Sequence, residues 1–254
     1  MGQNITLSVL EFDVLWEHLQ LGPFPPVLEI NSHGATLDER AELAARAWDS
    51  LADKDLGWPG KVDRRVAFRL RQLARPEWEL DARLRLTAVG PATRALIAAN
   101  ASTATIAVLD EHRLTLRTAP SDVITREALA LLPEHPPAGG PSITLPATAL
   151  DTAAKAGKPE SFAGALTSTG LGRSEARTLT MLASTAIRFA HFGAARTRRF
   201  QRRRRADHVV SVYDTPHGRY LITRKPSGDR HWITLAAGTP SAITRQLDEL
   251  LAGL

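Results

Sequence analysis

The chain has 254 residues, 43% of them apolar and 23% charged, with a formal charge of +5 and no cysteine. The missing cysteine excludes disulfides, thiolate metal sites, iron–sulfur clusters and a thiol nucleophile. The length suits a globular chain that buries roughly three quarters of the surface it exposes when unfolded. No apolar run approaches the roughly 20 residues needed to cross a bilayer.

The opening MGQNITLSVLEFDVLWEHL carries acids and lacks a basic n-region, an apolar h-region and a small-residue cleavage site, so it does not read as a secretory signal, and a cytoplasmic location is expected. Ile5 to Leu7 is a short strand candidate. Ser8-Val9-Leu10-Glu11 reads as a capping box with Leu7 and Phe12 at the staple positions. Phe12, Leu15, Trp16 and Leu19 then recur at helical spacing. Gly22 and the prolines at 23, 25 and 26 end that helix, and Val27 to Ile30 is a strand candidate. Thr36-Leu37-Asp38-Glu39 opens a second helix to about Ala52, and a shorter one spans about Asp63 to Ala74. In Trp78 to Leu86, Leu80, Leu84 and Leu86 alternate with Glu79, Asp81, Arg83 and Arg85, the pattern of a half-buried strand with a charged open face. Ala92 to Ala99, Thr103 to Leu109 and Arg113 to Arg117 are further strands, and Pro120-Ser121-Asp122 starts a helix through Leu132.

Pro133 to Pro141 holds four prolines and two glycines in nine residues, which cannot continue a helix or a central strand. It reads as a linker (134–141) between an N-terminal half, 1–133, and a C-terminal half, 142–254. The second half repeats the plan. Pro146 to Ala156 and Ser174 to Ser184 suit helices, and Thr185 to Arg196 suits a strand. Val209 to Tyr213, Arg219 to Lys225 and His231 to Leu235 suit a three-strand meander. Thr239-Pro240 caps a last helix with Ile243, Leu247 and Leu250 on its apolar face. Ile106 to Asp110 leading through Arg113 to Arg117 parallels Val210 to Asp214 leading through Arg219 to Arg224. An internal duplication accounts for this, as would two unrelated hairpins. The expected fold is α+β: a central antiparallel sheet with flanking helices in two quasi-symmetric halves.

Motifs for chemistry are scarce. No two of the eight histidines sit at i, i+4 spacing, so no metal site is expected. Gly57-Trp58-Pro59-Gly60-Lys61 lacks the spacing and hydroxyl of a phosphate loop, and Gly170-Leu171-Gly172 lacks the third glycine of a dinucleotide fingerprint. The latter reads as a helix-to-helix turn with Ser174 as N-cap. With no nucleophile elbow or acid–base constellation, neither an enzyme nor a cofactor is expected. Charge is concentrated in one place. Arg196, Arg198, Arg199, Arg202, Arg203, Arg204 and Arg205 form a basic loop, and removing those seven from +5 leaves the rest of the chain at −2. The run supports an alternative function, nucleic-acid or anion binding. Phe200 is the one aromatic residue within it, however, so it lacks the aromatic interleaving of a single-strand binder.

Three segments carry a resemblance: LSVLEFDVLWEHLQLGPFPPVLEI, LRQLARPEWELDARLRL and VVSVYDTPHGRYLITRKPSGDRHWITL. Together with the order of elements, they resemble the EspG family, the chaperones of actinobacterial ESX (type VII) secretion systems, over nearly the whole chain. The resemblance implies one EspG-like domain spanning 1–254, with quasi-symmetric halves around a sheet. It also implies a cytosolic, non-enzymatic protein that binds the tip of a helical PPE protein paired with PE, covers its apolar patch and delivers the pair for export. The connection Thr87 to Pro91 is shorter than the extended loop of many mycobacterial members. The client is therefore left open between a PE/PPE-like pair and another helical ESX substrate. The client surface is expected on the open sheet face and adjoining C-terminal helices, at Trp78, Glu79, Asp81, Arg83 and Arg85 and at Arg188, Phe192, Tyr213 and Tyr220. A homodimer through an exposed sheet or helix face is a further expectation.

Overall fold

The structure, a computed structural model, describes residues 4–87, 90–155, 159–198 and 201–254. Strand β1 (Ile5–Ser8) leads into helix α1 (Val9–His18). The capping box forms: Ser8 Oγ accepts from the Glu11 N–H at 3.1 Å, and the Glu11 carboxylate accepts from the Ser8 N–H at 2.7 Å. The expected strand at Val27 to Ile30 does not form. Val27 and Leu28 are buried in a turn closed by the Leu28 N–H on the Pro25 carbonyl at 2.8 Å. The prolines before them offer no ladder donors, so apolar residues are buried there without a strand partner.

Helix α2 (Leu37–Asp53), hairpin strands β2 (Gly57–Trp58) and β3 (Lys61–Val62), and helix α3 (Arg64–Ala74) follow. The Asp63 carboxylate caps α3, accepting from the Arg65 and Val66 N–H groups at 2.7 and 3.3 Å. Strands β4 (Trp78–Arg85), β5 (Thr93–Asn100), β6 (Thr103–Leu109) and β7 (Arg113–Pro120) come next, then a 3-10 turn (Ser121–Val123) and helix α4 (Ile124–Leu129). Next are β8 (Ile143–Pro146), α5 (Ala147–Ala154), α6 (Pro159–Ser168), α7 (Arg173–Thr185) and β9 (Arg188–Arg196). The chain closes with β10 (Arg204–Arg205), β11 (Val210–Thr215), β12 (Gly218–Ser227), β13 (Arg230–Ala237) and α8 (Pro240–Ala252).

Pro146 ends β8 and stands as the N-cap of α5 rather than inside the helix, and α6 goes beyond the elements expected from the sequence. The four residues of β8 are too few to show alternation. In α6, Ala163, Gly164 and Ala165 blunt the apolar period on which a helix assignment rests. The turn before α7 is helix-to-helix as expected. Its cap, however, is Gly172, whose N–H donates to the Glu175 carboxylate at 3.0 Å. Ser174 lies inside the helix.

The chain forms two compact units from non-consecutive segments. The first comprises Met1–Arg83, Pro91–Ala128 and Ala194–Arg204, and the second Leu84–Gly90, Leu129–Gly193 and Arg205–Leu254. In the first unit the strand order is β1-β7-β6-β5-β4. Antiparallel registers such as Ile5↔Leu116, Leu7↔Leu114 and Leu96↔Ala107 turn alternate apolar side chains to one face. Helices α1 to α3 cover that face with Phe12, Leu15, Trp16, Leu51, Leu70 and Leu73, all buried. Phe12, Trp16 and Phe24 pack edge-on and stacked, with centroids 5.0 to 5.4 Å apart. In the second unit the order is β9-β11-β12-β13-β8, again with antiparallel registers. The class is α+β: antiparallel sheet with flanking helices. No helix among the described residues is long and apolar enough to cross a membrane.

Candidate partner-binding surface

The second unit's sheet has two unlike faces, fixed by the period-2 rule. Registers Tyr213↔Phe189, Ser211↔His191, Ser211↔Ile222 and Ile222↔Leu235 put these residues on one face. Tyr213, Tyr220, Ile222, Ile233 and Leu235 pack there with Leu145, Ala153, Leu166, Leu179 and Leu182, which come from β8 and helices α5 to α7. On the other face, Ala190, Phe192, Val210, Val212 and Leu221 are buried. Helix α8 packs on β11 and β12 and buries Ile243, Leu247 and Leu250.

The helices leave part of the first face uncovered. Phe189, His191 and Ile222 are half-buried, and Val209 is 39% exposed. The Phe189, His191 and Tyr213 rings lie 5.3 to 6.2 Å apart, and the Arg85 guanidinium sits 5.7 Å from the Phe189 centroid. A hollow of about 370 Å³ opens beside them, lined by Asp207, His208, Val209, Ser211, Ile222 and Arg224 among others. His191 Nδ1 lies 2.9 Å from Ser211 Oγ. Burial lowers the His191 pKa and raises that of the Tyr213 phenol, so both are neutral near pH 7. The result is an uncharged aromatic floor rimmed by Arg85 and Arg224. It is suited to an apolar partner segment with a polar border.

The sequence-expected surface residues divide. Arg83 and Arg85 are exposed, Trp78 is half-buried and Tyr213 lies at the margin of the open floor. Glu79 and Asp81 are only 5% and 8% exposed, so the charged open face expected along β4 is absent at these positions. Glu79 is held by Arg203, whose Nε and Nη2 donate to its two oxygens at 2.8 and 2.7 Å. Phe192 is fully buried on the opposite face from Tyr213, and Tyr220 is buried under the helices. Arg188 also points away from the aromatic floor. Its Nε donates to Asp214 at 3.0 Å and its Nη2 to His135 Nδ1 at 3.1 Å.

That last contact belongs to a buried polar cluster. Arg219 donates to Asp214 from Nε and Nη2 at 2.6 and 2.9 Å and to the Pro133 carbonyl at 2.7 Å. The Arg219 N–H meets the Pro136 carbonyl, and the Ala138 N–H meets the Arg219 carbonyl. His135 Nε2 lies 2.9 Å from the Thr215 carbonyl. The Pro/Gly stretch read as a linker is thus tied along one side of β12. Gly218 allows the approach: at φ +119, a Cβ there would stand 2.6 Å from Ala138 Cα.

The arginine run is not a free cationic loop. In the first unit, Arg196 donates to Glu77 at 3.3 Å and stacks 3.7 Å over Trp78, while Arg203 neutralises Glu79. Arg204 and Arg205 pair with β9 as a short strand. Arg198 and Arg202 are exposed, and Arg199 and Phe200 lie outside the described residues. Sequence reasoning missed Phe189, His191, Val209 and Arg224. Their alternation with Ala190, Val210 and Thr223 carried the face assignment, but which face stays uncovered is set by α5 to α7.

The family model described as the EspG family matches residues 8–249. No curated protein matches the chain by sequence. Among solved structures, the chain is similar to the Mycobacterium tuberculosis type VII secretion system chaperone EspG5, solved in complex with the PE25-PPE41 dimer. The TM-score is 0.78 at 17% identity, covering 98% of this chain and 96% of that one. This likeness extends the shared fold over nearly the full length of both chains.

Proposed function

The chain belongs to the EspG family, and on that premise we propose that it is a non-enzymatic, cytoplasmic chaperone of a type VII secretion system. It binds a helical PE/PPE-like secretion substrate and keeps it soluble for export. The observation that carries this reading is the family match across residues 8–249, joined to a fold shared over 98% of the chain with a chaperone solved on its PE25-PPE41 dimer. The open sheet face of the second unit supports it: an apolar floor with a polar rim would cover a patch that otherwise aggregates. Phe189, Val209 and Ile222 form the floor, and Arg85 and Arg224 orient the client.

Co-expression with the helical type VII substrates of the same genome tests the proposal. A soluble one-to-one complex is expected, lost when Phe189→Glu and Val209→Glu place charge on the floor. Failure of every such substrate to co-purify with the wild-type chain refutes the function. A complex that survives both substitutions refutes the surface.

A further inference from the structure

Helix α3 of the first unit buries one side and leaves the other unpartnered. Val66, Leu70 and Leu73 are at most 1% exposed. On the outer side, Arg64, Phe68, Arg71 and Arg75 follow at spacings of four, three and four along α3 and its C-cap, so they form one stripe. All are exposed, with Phe68 at 51%. Among the described residues, the Arg64, Arg71 and Arg75 guanidiniums have no hydrogen-bond or ion-pair partner. Neighbours on the same helix differ: Arg65 pairs with Asp63, and Arg69 reaches the Leu116 carbonyl. The stripe borders a groove of about 930 Å³. Lys61, Leu19 and Val62 also line it, and among the described residues no Asp or Glu does. Lys61 lies 4.8 Å from the ring of Trp58, which is 52% exposed on the β2–β3 hairpin.

We propose that this stripe and groove form a docking site for an acidic peptide segment of a partner protein, with an apolar side chain seated against Phe68 between the carboxylates. The site goes beyond the proposed chaperone role and does not depend on it. Charge complementarity selects the occupant, because, among the described residues, three guanidiniums without a partner and a lysine face a groove with no carboxylate in its lining. Its extent selects a peptide over a polynucleotide. From Arg64 to Arg75 the helix rises only about 16 Å, and outside the Arg196 to Arg205 run the chain carries −2. A long polyanion would therefore meet no continuing basic track. The exposed Phe68 ring gives the peptide an apolar anchor that a phosphate backbone lacks.

The experiment uses the full chain to select from a displayed library of random 16-residue peptides. In parallel, it measures the binding of a single-stranded 20-nucleotide DNA probe. Enrichment of sequences with several Asp or Glu around one apolar residue is expected. The binding of an enriched peptide should weaken at least about tenfold in Arg64→Glu/Arg71→Glu and when salt rises from about 0.05 to 0.3 M. Phe68→Ser should weaken it too, whereas Arg198→Glu/Arg202→Glu should not. These positions are exposed, so a thermal melt matching the wild type is expected for each variant. The proposal is overturned if the enriched peptides show no acidic excess or nothing is enriched. It is equally overturned if binding survives Arg64→Glu/Arg71→Glu, or if DNA binds the stripe more tightly than any selected peptide.

Discussion

Asp214→Ala is the substitution with the largest effect expected from the geometry. The Asp214 side chain is 4% exposed and accepts from Arg219 Nε and Nη2 and from Arg188 Nε. Arg219 is itself 5% exposed and also ties down the Pro133 carbonyl. Deleting the carboxylate leaves a guanidinium buried without a counter-charge, a loss of about 3–5 kcal/mol. In a chain of this size that lowers the melting temperature by about 6–20 °C. Arg188, with 24% of its side chain exposed, can turn to water and adds less. Urea unfolding followed by far-UV circular dichroism measures the loss. The double substitution Asp214→Leu/Arg219→Met should lose less than Asp214→Ala, because no buried charge is stranded. A loss below about 1 kcal/mol for Asp214→Ala, or a double variant worse than the single, would refute the view that the ion pair is desolvated.

The arginine run should split in the same assay. Arg203→Ala strands the buried Glu79 and should cost about 2–3 kcal/mol, whereas Arg202→Ala should stay within about 0.5 kcal/mol; equal effects would contradict the assigned pairing. The His191 pKa is lowered by burial, so the unfolded chain takes up a proton there before the folded chain does. Stability should therefore fall as pH drops below about 6.5, the unfolded value. His191→Gln should remove that component between its pH profile and the wild type's, and superimposable slopes would sink the argument. Gly218→Ala must move the Pro137-Ala138 backbone or strain φ and should cost about 1–3 kcal/mol; a neutral result in thermal melts would mean that this segment does not hold its place.

Local features were legible because they depend on residues three or four apart or on alternation. The Ser8–Glu11 box, the Thr239 cap and the β11–β12–β13 meander follow from such short-range rules. Glu79 and Asp81 were misjudged for the converse reason. Alternation along β4 assigns their face, but only Arg203, 124 residues further along the chain, shows that Glu79 on that face is covered and neutralised. The same holds for the Pro/Gly stretch. Its composition forbids helix and central strand, yet Arg219 and Gly218, some eighty residues later, bind it to the sheet.

The sequence by itself determined most of the helices and strands, the α+β class, the absence of thiol chemistry and the resemblance to one chaperone family, since each rests on local pattern or composition. Tertiary structure alone decided which cations are free. Arg196 and Arg203 lie in the obvious basic run yet are bound to Glu77, Trp78 and Glu79. Arg64, Arg71 and Arg75, spread along one helix face, lack such partners among the described residues. A charge is neutralised by what lies within a few ångströms of it, and in a folded chain those neighbours come from distant parts of the sequence.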